Sequence, residues 1–327
     1  MRDEFARDIN YLRISVTDRC NLRCVYCMPP EGVSLAERDT ILRNEEFLTI
    51  IRVAVKTGIR KIRLTGGEPL VRKGIVDLVR EIGSIPAIDD IALTTNGVLL
   101  PQFAFPLKKA GLKRVNISLD TLKPERFREI TRNGEIGQVW AGIRAARRVG
   151  LKPIKLNVVV IRGFNDDEIM DFINLTKKMP LHVRFIELMP IGASDCWAAD
   201  KMITVPQIRS IIAAGGVELE PAKPVAGSGP AKYYRVPGAA GTVGFISAIS
   251  DHFCGSCNRL RLTSEGQLRP CLQSPVEVDL RTPLRAGCSE DELAALINRT
   301  VAAKPEKHTM VTRGWDDNNR MMSQIGG

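Results

Sequence analysis

A chain of 327 residues that is 44% hydrophobic and 26% charged can bury a sizeable core, which excludes a disordered regulator. Forty-seven Lys and Arg against 37 Asp and Glu leave a net charge of +10, which asks for an anionic partner: nucleic acid, an acidic surface or a phosphorylated small molecule. Aromatics at 5% speak against single-stranded nucleic acid, no apolar run approaches the roughly 18 to 20 residues of a membrane span, and the charged start MRDEFARDINYLR is no signal peptide, so the expectation is a cytoplasmic protein without nucleic-acid or membrane partners.

From residue 10 to about 190 a short β-branched run, a turn and an amphipathic stretch alternate. Strands are predicted at 12–16, 61–64, 91–95, 115–119, 156–161 and 183–188. Helices are predicted at 44–56, 75–82, 138–149 and 166–178, with Gly58, Gly111 and Gly150 as C-terminal stops. Strands alternating with helices imply parallel βαβ units. Six units rather than eight point to an α/β fold of the partial (β/α)6 TIM-like barrel type, while a doubly wound sheet stays open on pattern alone. In both, the active site gathers at the C-terminal ends of the strands. There the chain carries Cys20, Cys24 and Cys27, then Thr65-Gly66-Gly67-Glu68-Pro69, Thr94-Thr95-Asn96-Gly97, Ser118-Leu119-Asp120 and Glu187-Leu188-Met189-Pro190. Past about 200 the pattern changes to a Pro/Gly/Ala loop at 221–230, hairpin-like alternation at 233–249 and a helix near 290–302. The chain therefore divides into a barrel, 1–200, and a C-terminal extension, 201–327, ending in Gly326-Gly327.

Six of the eight cysteines form two groups of three, and in an unexported chain such spacing argues for metal or redox chemistry rather than disulfides. Cys196 and Cys288 stand alone and read as packing residues. Three thiolates from the tight loop of Cys20, Cys24 and Cys27 cannot complete a structural zinc site, which wants four ligands. On a cubane iron–sulfur cluster they leave one iron open, with Tyr26 as an aromatic wall. In the second group, the turn Ser264-Glu265-Gly266 lies between two strand-like runs, so a hairpin returns Cys271 beside Cys254 and Cys257. Arg259 and Arg261 fall on one face of that hairpin, where their guanidinium forks suit phosphate oxygens. His252, two residues before Cys254, keeps a zinc site of three thiolates and one imidazole open beside a second cluster.

The spacing C-x3-C-x-aromatic-C directly after a first strand resembles the signature of the radical S-adenosylmethionine (SAM) superfamily. Along almost the full chain, the segments CNLRCVYCMP, TGGEPL, LTTNG, NISLD, RFIELMPIG and CGSCNRLRLTSEGQLRPC and the terminal Gly-Gly resemble the GTP 3′,8-cyclase family of molybdenum cofactor biosynthesis. The resemblance implies two [4Fe-4S] clusters, one on Cys20, Cys24 and Cys27 and one on Cys254, Cys257 and Cys271, with His252 a loop residue. It implies that Tyr26, Gly66, Gly67, Glu68, Ser118 and Met189 meet SAM. It implies that Arg13, Arg63, Thr94, Lys155, Arg259 and Arg261 meet GTP, and that Gly326 and Gly327 reach into the active-site cavity.

The implied reaction is that of a lyase. Reductive cleavage of SAM gives methionine and a 5′-deoxyadenosyl radical that removes the hydrogen at ribose C3′ of GTP; C3′ closes on C8, and a further electron and proton give (8S)-3′,8-cyclo-7,8-dihydroguanosine 5′-triphosphate. A homodimer, an external electron donor and hand-over to cyclic pyranopterin monophosphate synthase follow from the same resemblance. Two alternatives remain at this point: another radical SAM enzyme whose auxiliary cluster serves a peptide or small molecule, and a basic nucleic-acid module with a zinc ribbon at 254–271.

Overall fold

A computed structural model describes residues 1–191, 199–227, 229–310 and 320–326. Its first half is the expected alternation. The parallel strands β1 (Tyr11–Ser15), β2 (Lys61–Thr65), β3 (Asp90–Thr95), β4 (Arg114–Ser118), β5 (Ile154–Val160) and β6 (His182–Glu187) pair in chain order. Helices α1 (Asn44–Lys56), α2 (Ile75–Gly83), α3 (Leu100–Lys109), α4 (Pro124–Thr131), α5 (Ile136–Arg148) and α6 (Ile169–Lys178) lie between them. The expected helix at 166–178 begins only at Ile169, because Asp166–Glu168 form a 3-10 turn whose Glu168 carboxylate is taken by Thr121 Oγ1 at 2.6 Å and Leu122 N at 2.6 Å. Strand β5 starts two residues before its expected limit and so includes Lys155, a charged residue that local propensity keeps out of a strand and tertiary burial puts in.

The chain beyond residue 200 extends this sheet at both edges. Strand β9 (Thr242–Ile246) runs parallel to β6 and is followed outward by β8 (Lys232–Arg235) and β7 (Glu220–Pro221). Strand β10 (Arg259–Leu262) runs parallel to β1, with β11 (Gln267–Arg269) and β12 (Val278–Asp279) beyond it. One twelve-stranded sheet results, in the order β12-β11-β10-β1-β2-β3-β4-β5-β6-β9-β8-β7. The expected hairpin at the second cysteine group is present, with Arg261 opposite Arg269.

The outer face of the sheet buries Ile14, Ile62, Leu64, Leu93, Val115, Ile117, Leu156 and Val183 under the helices. Phe185 packs edge-on against Phe172 of α6 and stacks on Phe245 of β9, with both pairs of ring centroids 6.2 Å apart. Helix α7 (Val205–Ala214) covers the β6 side. Helix α8 (Glu290–Ala302) packs on α1 and opens with a capping box in which Ser289 N donates to Glu292 Oε2 at 2.7 Å and Glu292 N to Ser289 Oγ at 3.2 Å. Among the described residues no helix is long and apolar enough to cross a membrane. With apolar side chains outward, alternate strand residues point inward, and many of these are basic.

Candidate active site

The loop after β1 is pinned to α4. Arg23 N and Val25 N donate to Thr131 O and Ile130 O at 3.1 and 2.9 Å, and Arg132 Nη1 donates to Arg23 O and Met28 O at 2.9 and 2.8 Å. Cys20, Cys24 and Cys27 then line a cavity of about 190 Å³ at the barrel mouth, together with Tyr26, Gly66, Gly67, Ser118 and Met189. Burial pushes all three thiols above their usual range, Cys27 to about 12. Three part-buried thiols converge on a cavity whose lining has no Lys or Arg to balance thiolates, and an iron–sulfur cluster supplies that positive charge. Among the described residues no three His, Cys, Asp or Glu side chains gather as around a single ion. The donor set fits a cluster bound at three corners.

The Gly-Gly-Glu-Pro turn works in two directions. A Cβ on Gly66 would meet Thr17 O at 2.5 Å and one on Gly67 would meet Arg19 O at 2.3 Å, so glycine here lets the turn lie against the stem of the cysteine loop. Gly67 N and Glu68 N donate to those same two carbonyls at 2.8 Å. The Glu68 side chain turns away from the cavity and accepts from Asn96 N at 2.7 Å, Thr95 Oγ1 at 2.8 Å and Leu70 N at 3.1 Å. Burial nevertheless raises its carboxyl to about 7. Glu68 therefore fastens the end of β2 to the end of β3.

Sequence reasoning placed Asp120 among the strand-end residues but gave it no role. It lines the same cavity, accepts from Tyr26 Oη at 2.6 Å through Oδ2 and from Val159 N at 2.8 Å through Oδ1, and burial lifts its carboxyl to about 6. Its place two residues beyond Ser118 at a strand end was the available signal. Glu187, at the end of β6, was likewise named there without a role. It is buried and accepts from Val205 N and Ile249 N at 2.7 Å, from Ser250 N at 2.9 Å and from Ser250 Oγ.

Deeper in the barrel a second cavity, about 130 Å³, is lined by Arg13, Arg63, Arg184, Arg259 and Arg261 with Thr94, and among the described residues by no carboxylate. Strand register explains the assembly: Arg13 sits directly between Arg63 and Arg261 on adjacent strands. Burial, and then mutual repulsion, lowers the affinity of Arg13 for its proton, and burial alone is the leading cause at Arg63, Arg184 and Arg261, the last two falling to about 10. The Nε atoms of Arg63 and Arg184 are buried without a hydrogen-bond partner. Concentrated cations and orphaned donors fit a polyanion.

Lys155 stands apart from this cavity. Its Nζ donates to Ala226 O at 2.8 Å and lies 5.5 Å from the Tyr233 ring centroid, and burial followed by Arg184 and Arg114 depresses it to about 6. Arg184 was not foreseen, although a basic residue inside a β-branched run was the sign.

The second cysteine group closes the other end. Cys254, Cys257 and Cys271 line a cavity of about 70 Å³ with Arg259, Arg261 and Lys304. Burial raises the Cys257 thiol, but Arg259 and then Lys304 outweigh it and bring it down to about 6. His252 is exposed and meets His308 edge-on, with ring centroids 5.2 Å apart, and it is His308 that borders the cavity, with Nε2 2.8 Å from Ala248 O. Met189 lines all three cavities. The tail returns to them: Met322 borders the first two, and Arg261 Nη1 donates to Gly326 O at 2.5 Å. Gly327 and Cys196 lie outside the described residues, and Cys288 packs at the edge of the core. A larger cavity, about 760 Å³, is lined by Arg144, Arg147, Arg148 and Lys152 and by none of these cysteines or cavity arginines.

A partial barrel with a three-cysteine loop after its first strand and a Gly-Gly-Glu turn after its second is the arrangement of a radical SAM protein. Residues 14–176 match the radical SAM superfamily and residues 181–310 match Molybdenum Cofactor Synthesis C. The chain belongs to the GTP 3′,8-cyclase family. It is 58% identical to the GTP 3′,8-cyclase of Heliobacterium modesticaldum, 59% to that of Pelotomaculum thermopropionicum and 57% to that of Desulforamulus reducens, each over 100% of both chains. Membership implies one [4Fe-4S] cluster and SAM. The fold is shared with Streptococcus suis SuiB bound to its precursor peptide SuiA, at a TM-score of 0.59 and 15% identity over 81% of this chain and 60% of that one. A second SuiB structure gives 0.58 and 14% over 96% and 67%.

Proposed function

We propose that this chain is a lyase that converts GTP to (8S)-3′,8-cyclo-7,8-dihydroguanosine 5′-triphosphate. Residues 1–200 act as the radical SAM barrel and residues 201–327 as the extension that carries a second [4Fe-4S] cluster and completes the substrate cavity. The observation that carries the reading is the row of three cavities joined at Met189, with two thiol sets at the ends and five arginines between them.

In this reading Cys20, Cys24 and Cys27 hold the first cluster, and Tyr26, Gly66, Gly67, Ser118 and Met189 surround SAM, with Glu68 shaping the turn. Bound there, cluster and SAM supply one-electron reductive cleavage. Every other task falls to the chain. Arg13, Arg63, Arg184 and Lys155 draw in the triphosphate, with Thr94 between SAM and nucleotide. Arg259 and Arg261 hold the nucleotide against the second thiol set of Cys254, Cys257 and Cys271. Met322 and Gly326 fill the mouth and exclude water, so the ribose stays in one orientation during the reaction. An external electron donor, a homodimer, a cytoplasmic setting and hand-over of product to cyclic pyranopterin monophosphate synthase complete the proposal.

The test is anaerobic turnover of the reconstituted protein with dithionite and SAM, in the presence of GTP, ATP or no nucleotide. GTP-dependent 5′-deoxyadenosine with a guanine-derived product isomeric with GTP itself is the expected result. Equal SAM cleavage in all three arms overturns GTP as substrate.

A further inference from the structure

The second thiol set is assembled by buried cations that belong to distant parts of the chain. Lys304, 3% exposed, donates from Nζ to Arg259 O at 2.8 Å and Pro270 O at 2.7 Å, carbonyls two residues after Cys257 and one before Cys271. Arg7 donates from Nη1 to Cys254 O at 3.0 Å and Glu306 O at 2.9 Å, and from Nη2 to Pro305 O at 2.8 Å. All three cysteine segments are thus tied to residues 304–306.

The two cations differ in charge balance. Arg7 is paired with Asp3, Nε to Oδ2 at 2.6 Å, whereas among the described residues Lys304 pairs with no carboxylate and borders the cavity of the three thiols.

Resting on the reading that Cys254, Cys257 and Cys271 hold a [4Fe-4S] cluster, we propose that Lys304 is a positioning residue that also sets that cluster's redox potential. Its ammonium clamps the backbones bearing Cys257 and Cys271, and its uncompensated charge favours the more negative, reduced state. A buried charge beside a cluster acts through a low dielectric, where its influence is large. Removing it makes the added electron less stable and moves the potential downward.

The experiment follows both clusters by EPR-monitored redox titration of the anaerobically reconstituted full-length protein, with iron counted in parallel. The proteins compared are wild type, Lys304→Gln and Lys304→Arg. Glutamine retains a donor for a carbonyl and drops the charge, while arginine keeps the charge. The expected result is a fall of the second midpoint in Lys304→Gln equivalent to at least a tenfold change in the oxidised-to-reduced ratio, about 59 mV for one electron, with the first midpoint unmoved and arginine restoring the wild-type value.

An unchanged second midpoint in a Lys304→Gln protein that carries about eight irons overturns the assignment. If the glutamine variant loses the second cluster, recovery of about eight irons with arginine upholds the clamp, and failure of arginine to recover them overturns it. A wild-type protein with only about four irons defeats the two-cluster reading itself, and that result is visible before any variant is made.

Discussion

Arg261 Nη1 reaches the carbonyl of Gly326 at 2.5 Å across a separation of 65 residues, so the second-cluster hairpin and the chain's tail meet inside the barrel. Gly326 has φ +77, and a Cβ there would lie 2.8 Å from Thr65 Cγ2. Deleting Gly326 and Gly327 is expected to abolish cyclised product while iron content stays at the wild-type level. Gly326→Ala is expected to do the same in milder form, since it combines a left-handed backbone with a steric clash. Product analysis beside iron quantification checks both, and normal turnover by the truncated protein would sink the role of the tail.

Lys155 gives the site a pH dependence. Burial first, then Arg184 and Arg114, hold it at about 6, below the 10.5 of a free lysine. A lysine with a depressed folded pKa gives up its proton on folding, so it costs stability, increasingly as pH falls from about 10.5 towards 6. An anion brought near it reverses the shift. Nucleotide binding near pH 7 is therefore expected to take up a proton and to weaken as pH rises. Calorimetry in two buffers of different ionisation enthalpy measures the uptake. Lys155→Met should abolish that uptake, weaken GTP binding roughly tenfold and raise the stability of the nucleotide-free protein.

Tyr26 depends on Asp120 for its orientation. Tyr26→Phe removes the donor 2.6 Å from Oδ2 and leaves that carboxylate oxygen without it in a buried setting. SAM affinity is expected to fall about tenfold with cluster iron unchanged, as read by equilibrium binding. An unaltered SAM affinity would show that the pair only packs.

Glu187 joins the end of β6 to two separate stretches beyond residue 200, through Val205 N and through Ile249 N with Ser250 N. Glu187→Ala leaves these buried amides unpaired, and a loss of ~3 kcal/mol is expected in denaturant unfolding. Should stability stay within the error of wild type, the hub would carry little of the connection.

Much of the barrel was legible because β-branched runs and glycine stops alternate with regularity, and the ends of α1 were read without error. The cysteine groups were legible because their spacing is a property of single loops. The joins were not. Strands β9 and β10 complete the sheet from positions far along the chain, and no local pattern says that the residue beside Arg13 is Arg261. Asp120 and Glu187 were visible as strand-end carboxylates, but their partners were not, since each is bound by backbone amides from segments that come together only on folding. Lys155 and Arg184 look like ordinary strand charges until the inward face of the barrel is known.

The antiparallel return of β11 beside β10 and the parallel pairing of β10 with β1 turn the sheet into a ruler. One cysteine loop follows the C-terminal end of β1 and the other precedes the N-terminal end of β10, so the interval between them along the strands spans the five residues of β1, about 17 Å at strand rise. Backbone hydrogen bonds enforce that interval, and no single side chain can alter it. Whatever molecule touches both ends must match a length written in peptide units, which makes size selection a property of the scaffold and leaves the arginines to choose by charge.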